Sequence, residues 1–155
     1  MALPVSPVAM ALPASPFMAR ALELARAAGS AGEAPVGAVL VRGGAIIAEA
    51  GNAMRRLADP TAHAEMLVIR AAGAERLEDC DLWVTLEPCA MCAGAIAHAR
   101  IRRLYWGAAD PKGGAVEHGP RLFHQPTIHH RPELYGGIAA GEAAALLRAF
   151  FSARR

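Results

Sequence analysis

Two short clusters carry most of the chemistry this chain can perform: His63-Ala64-Glu65 and Pro88-Cys89-Ala90-Met91-Cys92. An imidazole and two thiols three residues apart are the borderline-soft donors that zinc prefers. Three protein donors leave a tetrahedral zinc one open position, the catalytic pattern; a fourth donor would make the site structural. His98 is not that fourth donor, because six residues beyond Cys92 turns it about 240° around a helix. Two thiolates neutralise a dication, and water on such a centre ionises near neutral pH. Glu65 is the candidate proton carrier. Two residues from His63 on a regular helix, it is rotated by roughly 200° and kept off the metal.

The elements that must position these groups follow from pattern. Met18, Leu22 and Ala25 form a helical stripe over Phe17 to Ala28, stopped by Gly29. Val36–Val41 and Ala45–Ala50 are apolar runs joined by Arg42-Gly43-Gly44, which predicts a hairpin. Asn52 to Asp59 is a polar loop. Asp59-Pro60-Thr61 opens a helix from about Ala62 to Ala72, with Asp59 or Thr61 as its cap and Gly73 as its stop. A buried-type strand spans Leu82 to Leu86, and Pro88 starts a helix running from Cys89 to Ala99. A strand over Arg102–Gly107, a loop over Asp110–Pro126, a possible strand over 128–135 and a helix over Gly141–Arg154 complete the chain. Both clusters then fall at helix starts, where the helix dipole favours thiolate. Alternating strands and helices predict an α/β fold. Its mixed, about five-stranded sheet is sandwiched by helices on both faces in three layers, with the site past the strand ends.

Composition narrows the setting. The 155 residues suit one domain with a real core, here 16–155, preceded by a mobile Pro/Ala-rich extension over 1–15. That extension lacks the basic start of a signal peptide, its prolines break a helix, and Met10 or Met18 offers an alternative start. No apolar run is long enough to span a bilayer. Cys80 stands alone as a buried thiol, so no disulfide framework is expected and a cytoplasmic location follows. Net charge is +2, yet residues 100–155 hold nine Arg or Lys against four Asp or Glu. A basic C-terminal third suits a polyanion such as nucleic acid, although charge alone favours the reading of ordinary surface charge.

With these residues in view, the chain resembles the bacterial tRNA-specific adenosine deaminases of the cytidine deaminase-like zinc superfamily. His63-x-Glu65 with Pro88-Cys89-x-x-Cys92 is that superfamily's signature. The likeness extends over Pro35–Val41, Asp59–Glu65, Thr85–Gly94 and Arg100-Ile101-Arg102, and in all from Phe17 to Arg155. It implies one zinc per subunit on His63, Cys89 and Cys92, and Glu65 carrying a proton from water to a ring nitrogen. It implies a homodimer acting on the wobble adenosine of a tRNA anticodon stem-loop. Asn52 matches a position that bonds the flipped base, and Asp110, in Asp110-Pro111-Lys112, one that meets the RNA. Phe150, Phe151 and Arg154 match the terminal helix at the anticodon loop. Phe151 and Arg154 are expected on the RNA, with Arg155 beside them, and Phe150 in the core. The Ala- and Gly-rich helix from Cys89 to Ala99 is expected against the partner subunit. Two departures fall in the substrate loop. Glu117–Arg121 replaces a Gly-Ser stretch, and His129-His130 stands where Asn is frequent. His118, His124, His129 and His130 are expected as loop histidines, a second metal site being the alternative. Two other functions remain open: deamination of a free base or nucleoside of guanine or cytosine type, and an inactive RNA-binding module.

Overall fold

A computed structural model describes residues 15–154; the extension expected over 1–15, Ser15 excepted, and Arg155 lie outside the described residues. The chain folds as α1 (Pro16–Ser30), β1 (Gly37–Arg42), β2 (Ala45–Gly51), α2 (Ala64–Ala72), β3 (Cys80–Leu86), α3 (Ala90–Ala99), β4 (Arg103–Ala108), β5 (Glu133–Tyr135) and α4 (Ala140–Ser152), with a 3₁₀ turn over Leu122–His124. One sheet has the order β2-β1-β3-β4-β5. β1 runs antiparallel to β2 and β3, while β3, β4 and β5 are parallel.

Alternation along the strands divides the interior in two. Ala38, Leu40, Leu82, Val84 and Leu104 face one side and pack with Ala64 and Val68 of α2 and Ile96 and Ala97 of α3. Val39, Val41 and Trp83 face the other and pack with Met18 and Leu22 of α1 and Ala143 of α4. Period-two strands buried on both faces require this three-layer arrangement. The hairpin turn needs glycine: Gly43 and Gly44 sit at φ 57° and 79°, where a side chain is strained.

Strand direction gathers the working residues at one edge. Gly37 pairs with Gly51, and Leu86 with Ala108. The entrance to β1 and the exits of β2, β3 and β4 therefore share that edge, and Val36, Asn52, Glu87 and Asp110 emerge there together.

Several boundaries differ from the sequence-based expectation: α1 runs through Gly29 to Ser30, past the stop expected at Gly29, and three further differences bear on the site or the sheet. α2 begins at Ala64 with His63 as an extended N-cap (φ −73°, ψ 150°), not near Ala62. Asp59 instead spends its carboxylate on the Thr61 N–H and hydroxyl, and Asn52 takes the Ala64 N–H from a distance in sequence. Cys89 is likewise the N-cap of α3, and Cys92 alone is helical. The strand expected over 128–135 shrinks to Glu133–Tyr135, because the Ile128 N–H closes a turn on Gln125, His130 bonds the Ile101 carbonyl, and Pro132 has no N–H.

Candidate active site

The two helix starts meet. His63 Nδ1 lies 3.6 Å from Cys89 Sγ and 3.5 Å from Cys92 Sγ. A tetrahedral zinc with bonds of about 2.05 Å to nitrogen and 2.3 Å to sulfur separates such atoms by about 3.5 Å. The three donor atoms all fall within 4.8 Å of one another, so the set fits zinc. The thiols themselves call for a cation. Cys92 donates to Cys89, which holds Cys89 down at about 4, with His63 assisting. That same contact and burial push Cys92 upward. The pair thus shares a proton, in the place where a dication would let both stay thiolate.

Glu65 faces the same space. Because His63 is extended and outside the helix, helical periodicity does not separate the two, and both line one cavity of about 480 Å³. Glu65 is 4% exposed, and burial raises its carboxyl to about 7. Asn52 and Met54 line the cavity from the β2 exit, Leu86, Glu87 and Cys89 from the β3 exit, and Ala109, Asp110 and Gly113 from the β4 exit. Asn52 Oδ1 accepts the Ala64 N–H at 2.8 Å, which leaves its Nδ2 side free to donate. Asp110 Oδ1 accepts from the N–H groups of Lys112 and Gly113, folding that loop into a turn. Lys112 is exposed and outside the lining.

On the terminal helix, Phe151 lines the cavity and is 51% exposed. Arg154 does not reach it. Its guanidinium lies 3.4 Å from the Phe150 ring centroid and donates to the Phe150 carbonyl. Phe150 is half-buried and belongs to a second groove between α1 and α4. The loop histidines do not converge. His118 bonds Glu87, His124 meets Arg121, the His129 ring lies against His98, and His130 meets the Ile101 carbonyl.

Sequence reasoning missed two buried carboxylates. Glu87, 2% exposed, accepts from Asp110 N–H and His118 Nδ1 through Oε1. Its Oε2 accepts from the N–H groups of Val116, Glu117 and His118. Burial alone would raise this carboxyl, but the donors, Asp110 N–H foremost, hold it below its ordinary 4.5. Glu33, 4% exposed, accepts from the N–H groups of Arg55 and Arg56, which lower its pKa in the same way. Nothing in the spacing of either residue separates a buried acceptor from a surface carboxylate. The one local signal is that Glu87 abuts the Pro-Cys motif.

A three-donor zinc set at paired helix starts, with a buried carboxylate beside it on a mixed α/β/α sheet, defines the zinc-dependent nucleobase and nucleoside deaminases. A model of the cytidine and deoxycytidylate deaminase zinc-binding region matches residues 13–108, and the chain belongs to that family. Within it, the chain is 59% identical over 143 residues to a tRNA-specific adenosine deaminase of Agrobacterium fabrum, covering 90% of this chain and 94% of that protein. A solved structure from a study of A-to-I editing by tRNA:A34 deaminases superposes with a TM-score of 0.83 at 60% identity, covering 84% of this chain and 98% of the other. A guanine deaminase from Nitrosomonas europaea shares the fold at a TM-score of 0.71 and 26% identity, covering 98% and 96%. No helix among the described residues is long and apolar enough to cross a membrane.

Proposed function

We propose that this chain hydrolyses the wobble adenosine of a tRNA anticodon to inosine, acting as a homodimer in the cytoplasm. One observation carries the reading: the site is that of a deaminase, and 59% identity joins the chain to an enzyme whose substrate is tRNA, against 40% and 26% to two guanine deaminases, which act on a free base. When bound on His63, Cys89 and Cys92, zinc supplies the Lewis acidity that makes water nucleophilic near neutral pH. Glu65 accepts the proton of the attacking water and passes it to ring N1 as the oxygen adds to C6. The amino group then leaves as ammonia with a second proton, and the C6 carbonyl of inosine forms. Burial suits Glu65 to this task, because a carboxyl poised near neutrality both takes and gives a proton. The Asn52 amide donates to the base edge, and Phe151 offers an apolar face at the cavity mouth. On this reading Asp110 and Lys112 meet the RNA beside the flipped nucleotide, and Arg154 meets a phosphate. Ala90, Met91, Gly94 and Ala95 remain at least partly exposed on α3, a close-packing surface suited to the partner subunit.

The test is incubation with an unmodified tRNA whose anticodon begins with adenosine, beside free adenosine, cytidine and guanine. Inosine in the tRNA, with the free compounds turned over far more slowly, is expected. Turnover of guanine alone would replace the substrate, and no turnover of any would favour an RNA-binding module. Light scattering is expected to give twice the chain mass; a monomer removes the dimer.

A further inference from the structure

We propose that Glu33 and Glu87 are positioning residues for the reaction, each bracing one wall of the substrate cavity through backbone N–H groups; this rests on the tRNA reading above. The loops that leave β2 and β4 rise on either side of the central β1 and β3, and each carries cavity residues. Glu33 grips the first loop at Arg55 N–H (3.0 Å) and Arg56 N–H (2.8 Å), directly after Met54. Glu87 grips the second at both ends: Asp110 N–H at 3.0 Å, and the N–H groups of Val116, Glu117 and His118 at 3.0–3.1 Å.

Charge-assisted bonds to a buried carboxylate are stronger than neutral ones, and several on one anchor fix a loop that no regular structure holds. Five N–H groups, the His118 ring among them, occupy the Glu87 oxygens, so Glu87 serves as an anchor and not as a cation ligand beside Glu117 and His118. Gly114 makes the fit close: a Cβ there would stand 2.4 Å from Glu87 Oε2. Neither carboxylate bonds a zinc donor or Glu65. Loosening a wall therefore weakens capture of the RNA and leaves the reacting groups in place.

The experiment uses the full, zinc-loaded protein and an anticodon stem-loop with adenosine at the wobble position. Glu87→Gln and Gly114→Ala disturb the same contact from its two sides, and Glu33→Gln disturbs the other wall. Glu87→Gln and Gly114→Ala are each expected to raise KM about tenfold and Glu33→Gln about threefold, with kcat within threefold of wild type and one zinc per chain. If Glu87→Gln does not fold, Gly114→Ala decides the matter. Lowered melting temperature with KM within twofold would make both carboxylates merely structural and overturn the proposal. Lost zinc, or a fall in kcat at constant KM, would overturn it as well. A wild-type protein that makes no inosine would sink the tRNA reading, whereas an active wild type with unmoved variants would sink the wall proposal alone.

Discussion

Glu65 and Glu87 line the same cavity and are almost equally buried, at 4% and 2% exposure. Their surroundings differ. Glu65 sits in the first turn of α2, where burial outweighs its own backbone N–H, His63 and Cys92 and raises its carboxyl to about 7. Glu87 meets five N–H donors and is held below the ordinary carboxylate value. One carboxyl is left mobile in its proton and the other is locked as an anion. Two identical side chains at one sheet edge thus differ in how firmly they hold a proton, and backbone donors make the difference.

The sharpest way to break this contrast is to make the same substitution at both. Glu65→Gln is expected to lower deamination by about 10³-fold, since positioned proton transfer contributes about 10²–10⁴. Zinc should stay at one per chain, and melting should hold or rise, because a neutral amide is cheaper to bury than a carboxylate. Glu87→Gln presents an amide N–H₂ to N–H donors and leaves some without a partner. A loss of about 2 kcal/mol is expected, at roughly 1–3 kcal/mol per unsatisfied buried group. Calorimetry at equal zinc loading measures it. If both variants melt alike, the two environments are not as different as their donors indicate.

That contrast also explains what was legible in the sequence. His63, Cys89, Cys92 and Glu65 are chemical types at fixed short spacing, and the strand alternation that stacks Leu40, Leu82 and Leu104 on one face is equally local. What escaped was non-local. The cap of α2 comes from Asn52, so Asp59 and Thr61 misled the helix start by two residues. The rotation that set Glu65 against His63 assumed a helix that His63 does not enter. Glu33 and Glu87 act on N–H groups 22 or more positions away, and nothing in a sequence reports where such donors fold to.

The Glu87–His118 contact offers a finer probe, through pH. His118 lies 2.8 Å from Glu87, whose acceptance raises the imidazole above its ordinary 6.5. A raised histidine contributes stability that is full below 6.5 and is lost as pH rises through its folded value. Glu87, lowered from 4.5, contributes above that value and loses it as pH falls through its own folded value. The pair is therefore strongest between about pH 4.5 and 6.5. The urea midpoint of wild type should exceed that of His118→Asn most near pH 5.5, and the gap should narrow steadily towards pH 8. A gap constant over that range would mean His118 acts through shape alone.

The smallest expected effect lies at the outer end of the anchored loop. Lys112 is exposed, and its N–H rests on Asp110, whose own N–H is held by Glu87. If that chain of contacts serves to present a cation to the RNA backbone, Lys112 neutralises one phosphate and nothing more. Lys112→Ala should then weaken stem-loop binding about threefold, equally for different anticodon sequences, and reduce the slope of log K against log salt by about one. A lone phosphate contact adds no base discrimination. An unchanged salt slope would mean that Glu87 braces the cavity wall alone, and that the loop it anchors ends its work at Asp110.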